Sequence, residues 1–229
     1  MTEREKIFGR IREALTVVAP VPGHHGHPKV EAHKSAPPSS QARQWLPPVN
    51  DSFEGQLACF RENAANLKAD FHLTNGPDEL AKLLTELRDR EGWKRIASHA
   101  GELTDAVCRT LALPVCKTDQ PYNVTELEGC DAGLTECDAL VAQTGSVLVT
   151  NRSAGGRALS VLPPHHVVIA RREQLLRDLP AAFQFLKQKY GANYPSMMSF
   201  ITGPSRTGDI ERILVLGAHG PKKLTIFLL

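Results

Sequence analysis

The 229-residue chain is long enough to bury a substantial core, and its net charge of +2 is too small to favour nucleic acid or an anionic membrane as the main partner. Hydrophobic residues make up 41% and charged residues 23%, as in ordinary soluble globular proteins. The start of the sequence has no apolar signal segment and no run approaches the roughly 18 residues of a membrane span, so we expect a cytoplasmic protein without membrane insertion.

The beginning of the chain predicts a helix followed by a linker. Over residues 1–18, Thr2 and Glu5 fit a capping box, and apolar residues then recur every four positions. Residues 19–50 are rich in proline and histidine and lack apolar periodicity, which is typical of a solvated linker. Residues 51–229 are predicted to form the folded domain.

Helix and strand patterns alternate through this domain. The predicted helices cover residues 51–69, a segment opening at 75–77 and ended by Gly92, residues 102–111, and a segment capped by Asp178 and ended by Gly191. The predicted strands cover residues 71–73, 94–98, 115–117, 139–143, 146–151, 158–162, 165–170, 198–201 and 224–229, and residues 172–176 are predicted to form a short helical turn. This alternation favours an α/β domain with a mostly parallel sheet covered on both faces.

The five cysteines are too scattered for a recognisable metal site. Their number is odd, their spacings are wide, and no C-x-x-C pair occurs. This pattern indicates neither a disulfide framework nor a zinc site, and it lacks the closely spaced cysteines typical of iron–sulfur ligation. We therefore expect reduced thiols, no metal and no cofactor in this chain.

Residues 202–221 carry the most concentrated polar chemistry. Ser205, Arg206 and Thr207 lie between glycines, so hydroxyls, a guanidinium and accessible backbone N–H groups meet in one short loop. Such a set suits a small carboxylate or a phosphate. The alternative is a structural turn in which the arginine holds one of the two acids that follow it.

Other candidates lie at strand ends. Thr144, Gly145 and Ser146 form the turn of a predicted hairpin, where they are either simple turn formers or small donors to an anion site. His99 ends a predicted strand, where α/β proteins hold ligands, although a surface or capped histidine is the alternative. His165 and His166 begin another strand, and side-chain alternation predicts that one faces solvent and the other the interior.

Four runs resemble the LUD-domain family of lactate utilization protein C. They are CDALVAQTGSVLVT from residue 137, LPPHHVVIA from 162, GPSRTGDIE from 203 and LGAHGP from 216. Their order and their position near the end of the chain make the likeness specific, and it covers roughly residues 53–229. Gly208 departs from it, since alanine is expected there.

The resemblance implies three α/β/α layers, as in the glucosamine-6-phosphate deaminase, ribose-phosphate isomerase and CoA-transferase group. It also implies a subunit without an iron–sulfur cluster in a lactate utilization system, supporting oxidation of L-lactate to pyruvate beside iron–sulfur partner subunits, with a small carboxylate as ligand. It transfers no catalytic residue. Two alternatives stay open: a small-carboxylate-binding regulatory module, or a stand-alone sugar-phosphate isomerase or CoA-transferase-like enzyme with Asp209 or Glu211 as base or nucleophile and His219 as acid.

Overall fold

The computed structural model describes residues 47–208, 214–217 and 219–229. The predicted N-terminal helix and nearly all of the predicted linker lie outside the described residues, as do the candidate acids Asp209 and Glu211. None of the helices in the described part of the chain is long and apolar enough to span a membrane.

The elements alternate largely as the sequence predicts. The helices are α1 (Phe53–Asn66), α2 (Pro77–Glu91), α3 (Glu102–Leu111), α4 (Val124–Glu128) and α5 (Leu179–Tyr190), and a 3-10 turn covers Arg172–Gln174. The strands are β1 (Asp70–Leu73), β2 (Ile96–Ser98), β3 (Val115–Lys117), β4 (Ala132–Thr135), β5 (Ala139–Val141), β6 (Ser146–Thr150), β7 (His165–Ala170), β8 (Leu175–Leu176), β9 (Met198–Ile201), β10 (Arg206–Gly208), β11 (Leu214–Leu216) and β12 (Lys223–Leu228).

Helix ends follow their capping residues. Ser52 Oγ accepts a hydrogen bond from the Gly55 N–H at 3.1 Å and starts α1. Asp178 Oδ1 accepts one from the Ala181 N–H at 2.8 Å and starts α5, as predicted. Gly92 adopts the left-handed conformation that the end of α2 requires, with φ of 69°.

The larger sheet has six parallel strands in the order β1-β12-β7-β4-β2-β3. Helices α2 and α3 cover one face, where Leu84 and Val107 belong to the same core cluster as Ile169 of β7. The prediction of an α/β fold with a parallel sheet is confirmed.

The opposite face is covered partly by a second sheet, with strands in the order β8-β5-β6-β9. Its hairpin β5–β6 is antiparallel, as predicted, with Val141 opposite Ser146. Leu140 and Val147 point toward the larger sheet, in one core cluster with Ile226 and with residues of α1. The residues that alternate with these along the hairpin point the other way, and they include Val141, which packs on α5. The smaller sheet therefore lies between the larger sheet and α5.

Several local predictions are wrong. Strand β4 is missing from the sequence-based assignment, although it lies inside the larger sheet. Residues 158–162 form turns instead of a strand, because the Ala158 carbonyl accepts hydrogen bonds from the N–H groups of residues 161 and 162. His165 and His166 are both buried, because the sheet is covered on both faces. Residues 198–201, whose apolar run predicts a central strand, instead form the edge strand β9.

Candidate functional site

The two predicted anion-binding segments meet through a row of hydroxyls. Ser146 Oγ lies 2.8 Å from Thr144 Oγ1 in the hairpin turn and 2.8 Å from Thr202 Oγ1 just after β9. Ser146 is buried, so its hydroxyl is surrounded by protein. The hydroxyls satisfy one another, and the hairpin turn is thereby joined to the loop that leads to Ser205 and Arg206.

The hairpin turn is pressed against α1. Asn63 Nδ2 donates to the carbonyls of Ala142 at 2.9 Å and Gln143 at 3.1 Å. Gly145 has φ of 64°, and a Cβ at that position would lie 2.8 Å from Asn63 Cβ. Gly145 is therefore required both for its backbone conformation and for its close approach to the helix.

Arg206 is bonded to the same helix. Its Nη2 donates to the backbone carbonyl of Leu67, which is the C-terminal cap of α1. Gly203 lies against that carbonyl as well, since a Cβ there would be 2.9 Å from the Leu67 oxygen. A cation at a helix C-terminus interacts favourably with the helix dipole. This geometry favours a bracing role for the guanidinium over an anion-binding fork.

The remaining predicted residues are distributed around the β10–β11 hairpin. The Ser205 N–H donates to the Pro221 carbonyl at 2.9 Å, and the Ser205 carbonyl accepts from the Gly217 N–H at 3.0 Å. Thr207 lies in β10 opposite Val215 of β11. His219 is exposed in the turn before β12. These backbone bonds hold Ser205 against Gly217 and Pro221.

A second candidate site follows from the topology of the larger sheet. The chain runs from β2 to its neighbour β3 and then returns to the other side of β2 to form β4. The carboxyl ends of β2 and β4 therefore flank a topological switch point, and open α/β sheets bind ligands in the crevice at such a point. His99 and Glu136 are the residues that directly follow these two strands.

His99 and Glu136 are joined across this crevice. The Glu136 N–H donates to His99 Nε2 at 3.2 Å, and His99 Nδ1 lies 2.9 Å from the Ala100 carbonyl. Because a carbonyl only accepts, Nδ1 carries the proton and Nε2 is the acceptor. Both ring nitrogens are therefore engaged within the protein.

Charged and hydroxyl groups line the crevice. Glu136 Oε1 accepts from the Leu103 N–H at 3.0 Å, so its carboxylate lies at the start of α3. Lys117 Nζ contacts Asp105 Oδ1 at 2.6 Å and the His99 carbonyl at 2.8 Å. The sequence indicated His99, but Glu136 was missed because the short Ala-Gly-Leu-Thr run of β4 did not predict a strand.

The loop after β6 covers this crevice. Thr118 Oγ1 donates to the Gly155 carbonyl at 2.6 Å. Gly155 has φ of 60°, and a Cβ there would lie 2.1 Å from His99 Cβ. The loop can approach the histidine this closely only because residue 155 is glycine.

An ion pair between a buried carboxylate and a partly exposed lysine connects α5 to the smaller sheet. Asp138 Oδ1 accepts from Lys189 Nζ at 2.7 Å and from the Tyr190 hydroxyl at 2.6 Å. Burial opposes ionisation of Asp138, but the hydrogen bonds, led by that from Lys189, outweigh it and keep the pKa of the carboxyl below its usual value. This pair fixes the orientation of α5.

All five cysteines are reduced and lie among the described residues. Burial raises the pKa of each thiol, and that of Cys130 rises to about 11. In the described part of the chain, no group of three or more His, Cys, Asp or Glu side chains is arranged to hold a metal ion.

Comparison with known proteins identifies one family. The LUD domain profile matches residues 57–229. Lactate utilization protein C of Bacillus velezensis is 24% identical over 241 aligned positions, which cover 100% of this chain and 96% of that protein. The protein of the same name from Deinococcus radiodurans is 29% identical over 52% of this chain and 56% of its own length. That from Shouchella clausii is 34% identical over 46% of this chain and 46% of its own length. The matched stretch therefore spans about half of each of these two relatives.

A solved structure has the same fold. The crystal structure of a DUF162 family protein from Deinococcus radiodurans superposes with a TM-score of 0.62 at 22% identity, covering 77% of this chain and 98% of that one. At this identity the likeness shows the architecture alone.

Proposed function

The chain belongs to the LUD domain family, and from this premise we propose that it is the subunit without an iron–sulfur cluster of a lactate utilization system. In this role it supports oxidation of L-lactate to pyruvate beside iron–sulfur partner proteins. The observation that carries the proposal is the alignment with the lactate utilization protein C of Bacillus velezensis along 100% of this chain and 96% of that protein.

The cysteines support assigning the clusters to the partners. Oxidation of lactate to pyruvate releases two electrons and two protons, and in this proposal the electrons pass to iron–sulfur clusters in the partner proteins. Iron–sulfur clusters are typically bound by closely spaced cysteines, whereas the five cysteines of this chain are widely spaced and form no C-x-x-C pair.

We place the small carboxylate ligand at the crevice between the carboxyl ends of β2 and β4. Lys117 Nζ lies beside these strand ends, where its contacts with Asp105 and the His99 carbonyl use two of its three N–H donors, and parallel sheets bind ligands at such strand ends. The alternative place is the hydroxyl row of Thr144, Ser146 and Thr202, whose polar groups already bond one another. The two places can be distinguished by the melting temperature of the purified chain, measured with and without L-lactate or pyruvate. We expect Lys117→Met to abolish the ligand-induced rise and Ser146→Ala to retain it; the reverse would place the ligand at the hydroxyl row.

Growth on lactate tests the function itself. The gene for this chain is deleted in its own organism, and growth is compared with L-lactate or pyruvate as the carbon source. We expect growth on L-lactate to be lost, growth on pyruvate to be kept, and a plasmid copy to restore the former. Unimpaired growth on L-lactate, with no second copy of the gene present, would contradict the proposal.

A further inference from the structure

Strand β9 forms one edge of the smaller sheet as far as the structure describes the chain. The Asn151 N–H donates to the Met197 carbonyl at 3.2 Å, so residue 197 faces β6, and so do 199 and 201 by the alternation of an antiparallel pair. Met198 and Phe200 therefore direct their backbone N–H and C=O groups away from β6. Among the described residues no strand pairs with this side of β9.

Apolar side chains flank the open edge. Met198 is 45% exposed, and Phe183 of α5 is 58% exposed beside it. The Phe183 ring contacts the Phe200 ring, with their centroids 5.5 Å apart. Met198 and Phe200 are two residues apart on β9 and so share the face that packs on α5. An unpaired strand edge next to exposed apolar side chains promotes aggregation unless another segment covers it.

Exposed cations lie near this edge. Arg157 Nη2 donates to the Ser196 carbonyl at 2.9 Å, which places an exposed guanidinium just before β9. Lys187 lies one helical turn after Phe183, on the same side of α5. The acids Asp209 and Glu211 follow β10 in the chain and lie outside the described residues.

We propose that the open edge of β9 binds an extended, acidic and apolar segment of a partner protein, which adds to the smaller sheet as a fifth strand. The outward N–H and C=O groups of Met198 and Phe200 supply the main-chain hydrogen bonds. Phe183 and Met198 cover alternate apolar side chains of the incoming strand, and Arg157 and Lys187 attract its carboxylates. This is strand addition, in which backbone bonds give affinity and flanking groups give selectivity.

The charge argues against a second copy of this chain as the occupant. Pairing β9 with β9 about a two-fold axis brings the same surface of each copy together. Arg157 and Lys187 of both copies would then border one interface, and like charges at an interface are repulsive. An acidic partner segment meets no such repulsion. The inference does not depend on lactate as the substrate.

Synthetic peptides test this inference directly. The probe is an eight-residue peptide in which valine alternates with glutamate, and its control carries lysine in place of glutamate. A third peptide has the glutamate sequence with N-methyl groups on alternate amides, which removes hydrogen-bond donors from one edge of its strand. Binding to the full chain is followed by chemical-shift changes of backbone amides. The protein variant is Met198→Pro, which removes one outward N–H, with Met198→Thr as its control.

We expect the glutamate peptide to shift the amides of residues 198–202 and to bind at least about ten-fold more tightly than the lysine and N-methylated peptides. Met198→Pro should weaken binding of the glutamate peptide to a similar extent, and Met198→Thr should not. If Met198→Pro does not fold, the comparison of peptides on the unaltered chain decides. Equal binding of the three peptides, or shifts confined to other strands, would overturn the proposal. So would concentration-dependent dimerisation through β9, which would make a second copy the occupant.

Discussion

His99 and Glu136 follow neighbouring parallel strands, and a 3.2 Å hydrogen bond from the Glu136 N–H to His99 Nε2 joins the two strand ends. The bond selects one tautomer of the imidazole, because Nδ1 donates to the Ala100 carbonyl. The histidine thus acts as a bridge at the carboxyl edge of the sheet. Its position depends on the loop that covers it, which gives the first prediction.

Replacing Gly155 should disturb this bridge more than replacing its neighbour. Both Gly155 and Gly156 have positive φ, at 60° and 108°, but a Cβ at 155 would lie 2.1 Å from His99 Cβ, whereas one at 156 meets nothing within 4 Å. We expect Gly156→Ala to cost about 1–2 kcal/mol from backbone strain alone. Gly155→Ala should cost roughly 3 kcal/mol or more, because the loop must also move. Urea unfolding of both variants measures the difference, and equal losses would show that the contact with His99 is unimportant.

Arg206→Lys should lower the melting temperature without any ligand present. The guanidinium donates to the carbonyl that ends α1, and a lysine cannot reproduce the planar geometry of that contact. A loss of about 1.5–3 kcal/mol is expected for a hydrogen bond to a charged group, reduced by solvent because Arg206 is exposed. Arg61→Lys, an exposed arginine on α1, is the control. An unchanged melting temperature together with lost lactate response would instead make Arg206 a ligand-binding residue.

The paired histidines should make the fold sensitive to mild acid. Burial lowers the pKa of His165 to about 4 and that of His166 to about 3. Below pH 6.5 the unfolded chain binds protons that the folded chain does not, so the free energy of unfolding falls as pH decreases toward 4. The slope is up to about 1.4 kcal/mol per pH unit for each histidine.

The pH interval from 6.5 to about 5.5 reports mainly on histidines, because carboxyl groups of the unfolded chain titrate at lower pH. His72, whose pKa is also lowered by burial, contributes to the slope beside this pair. Urea unfolding across this interval should give a smaller slope for His166→Gln than for the unaltered chain. The same substitution at the exposed His219 is the control for the change of side chain. A slope that His165→Gln and His166→Gln both leave unchanged would assign the acid sensitivity to other groups.

The Asp138–Lys189 pair should respond asymmetrically to substitution. The Asp138 side chain is 0% exposed and that of Lys189 is 43% exposed. Lys189→Met leaves a carboxylate that water cannot reach, so we expect a loss of roughly 3 kcal/mol at pH 7. Adding Asp138→Asn should recover part of this loss, because the unpaired charge is then removed. Urea unfolding of Lys189→Met, Asp138→Asn and the double variant gives a double-mutant cycle. Lys187→Met is the control on the same helix. Strict additivity of the two substitutions would contradict the coupling.

Much of the fold could be predicted because its helices carry local signals. Ser52, Asp178 and Gly92 mark helix ends through their own chemistry, which requires no knowledge of the tertiary structure. Strand β4 has no such signal: Ala-Gly-Leu-Thr is short and weakly apolar, and it is a strand because β2 and β7 bond it on both sides. Gly133 has no space for a side chain, because a Cβ there would lie 2.4 Å from the Leu159 carbonyl oxygen. The sequence alone does not predict this close contact either.

The candidate site was predictable only in part for the same reason. Glycines and small hydroxyl residues indicated that the segments around Ser146 and Arg206 are special, and the structure brings both to α1. The crevice at His99 depends on the order of the strands, which no local pattern reveals. Glu136 therefore became a candidate only when β4 was found beside β2.

Strand β12 lies between β1 and β7 in the larger sheet, with Thr225 opposite Asp70 and also opposite Val167. In the described part of the chain, strand β1 has no neighbour in this sheet except β12. During synthesis on the ribosome, β1 therefore cannot pair with β12 until residues 223–228 have emerged. Contacts this distant in sequence are slow to form and leave apolar surface exposed in the meantime. A nascent chain halted before residue 223 should consequently depend on chaperones and be degraded more rapidly than the finished protein.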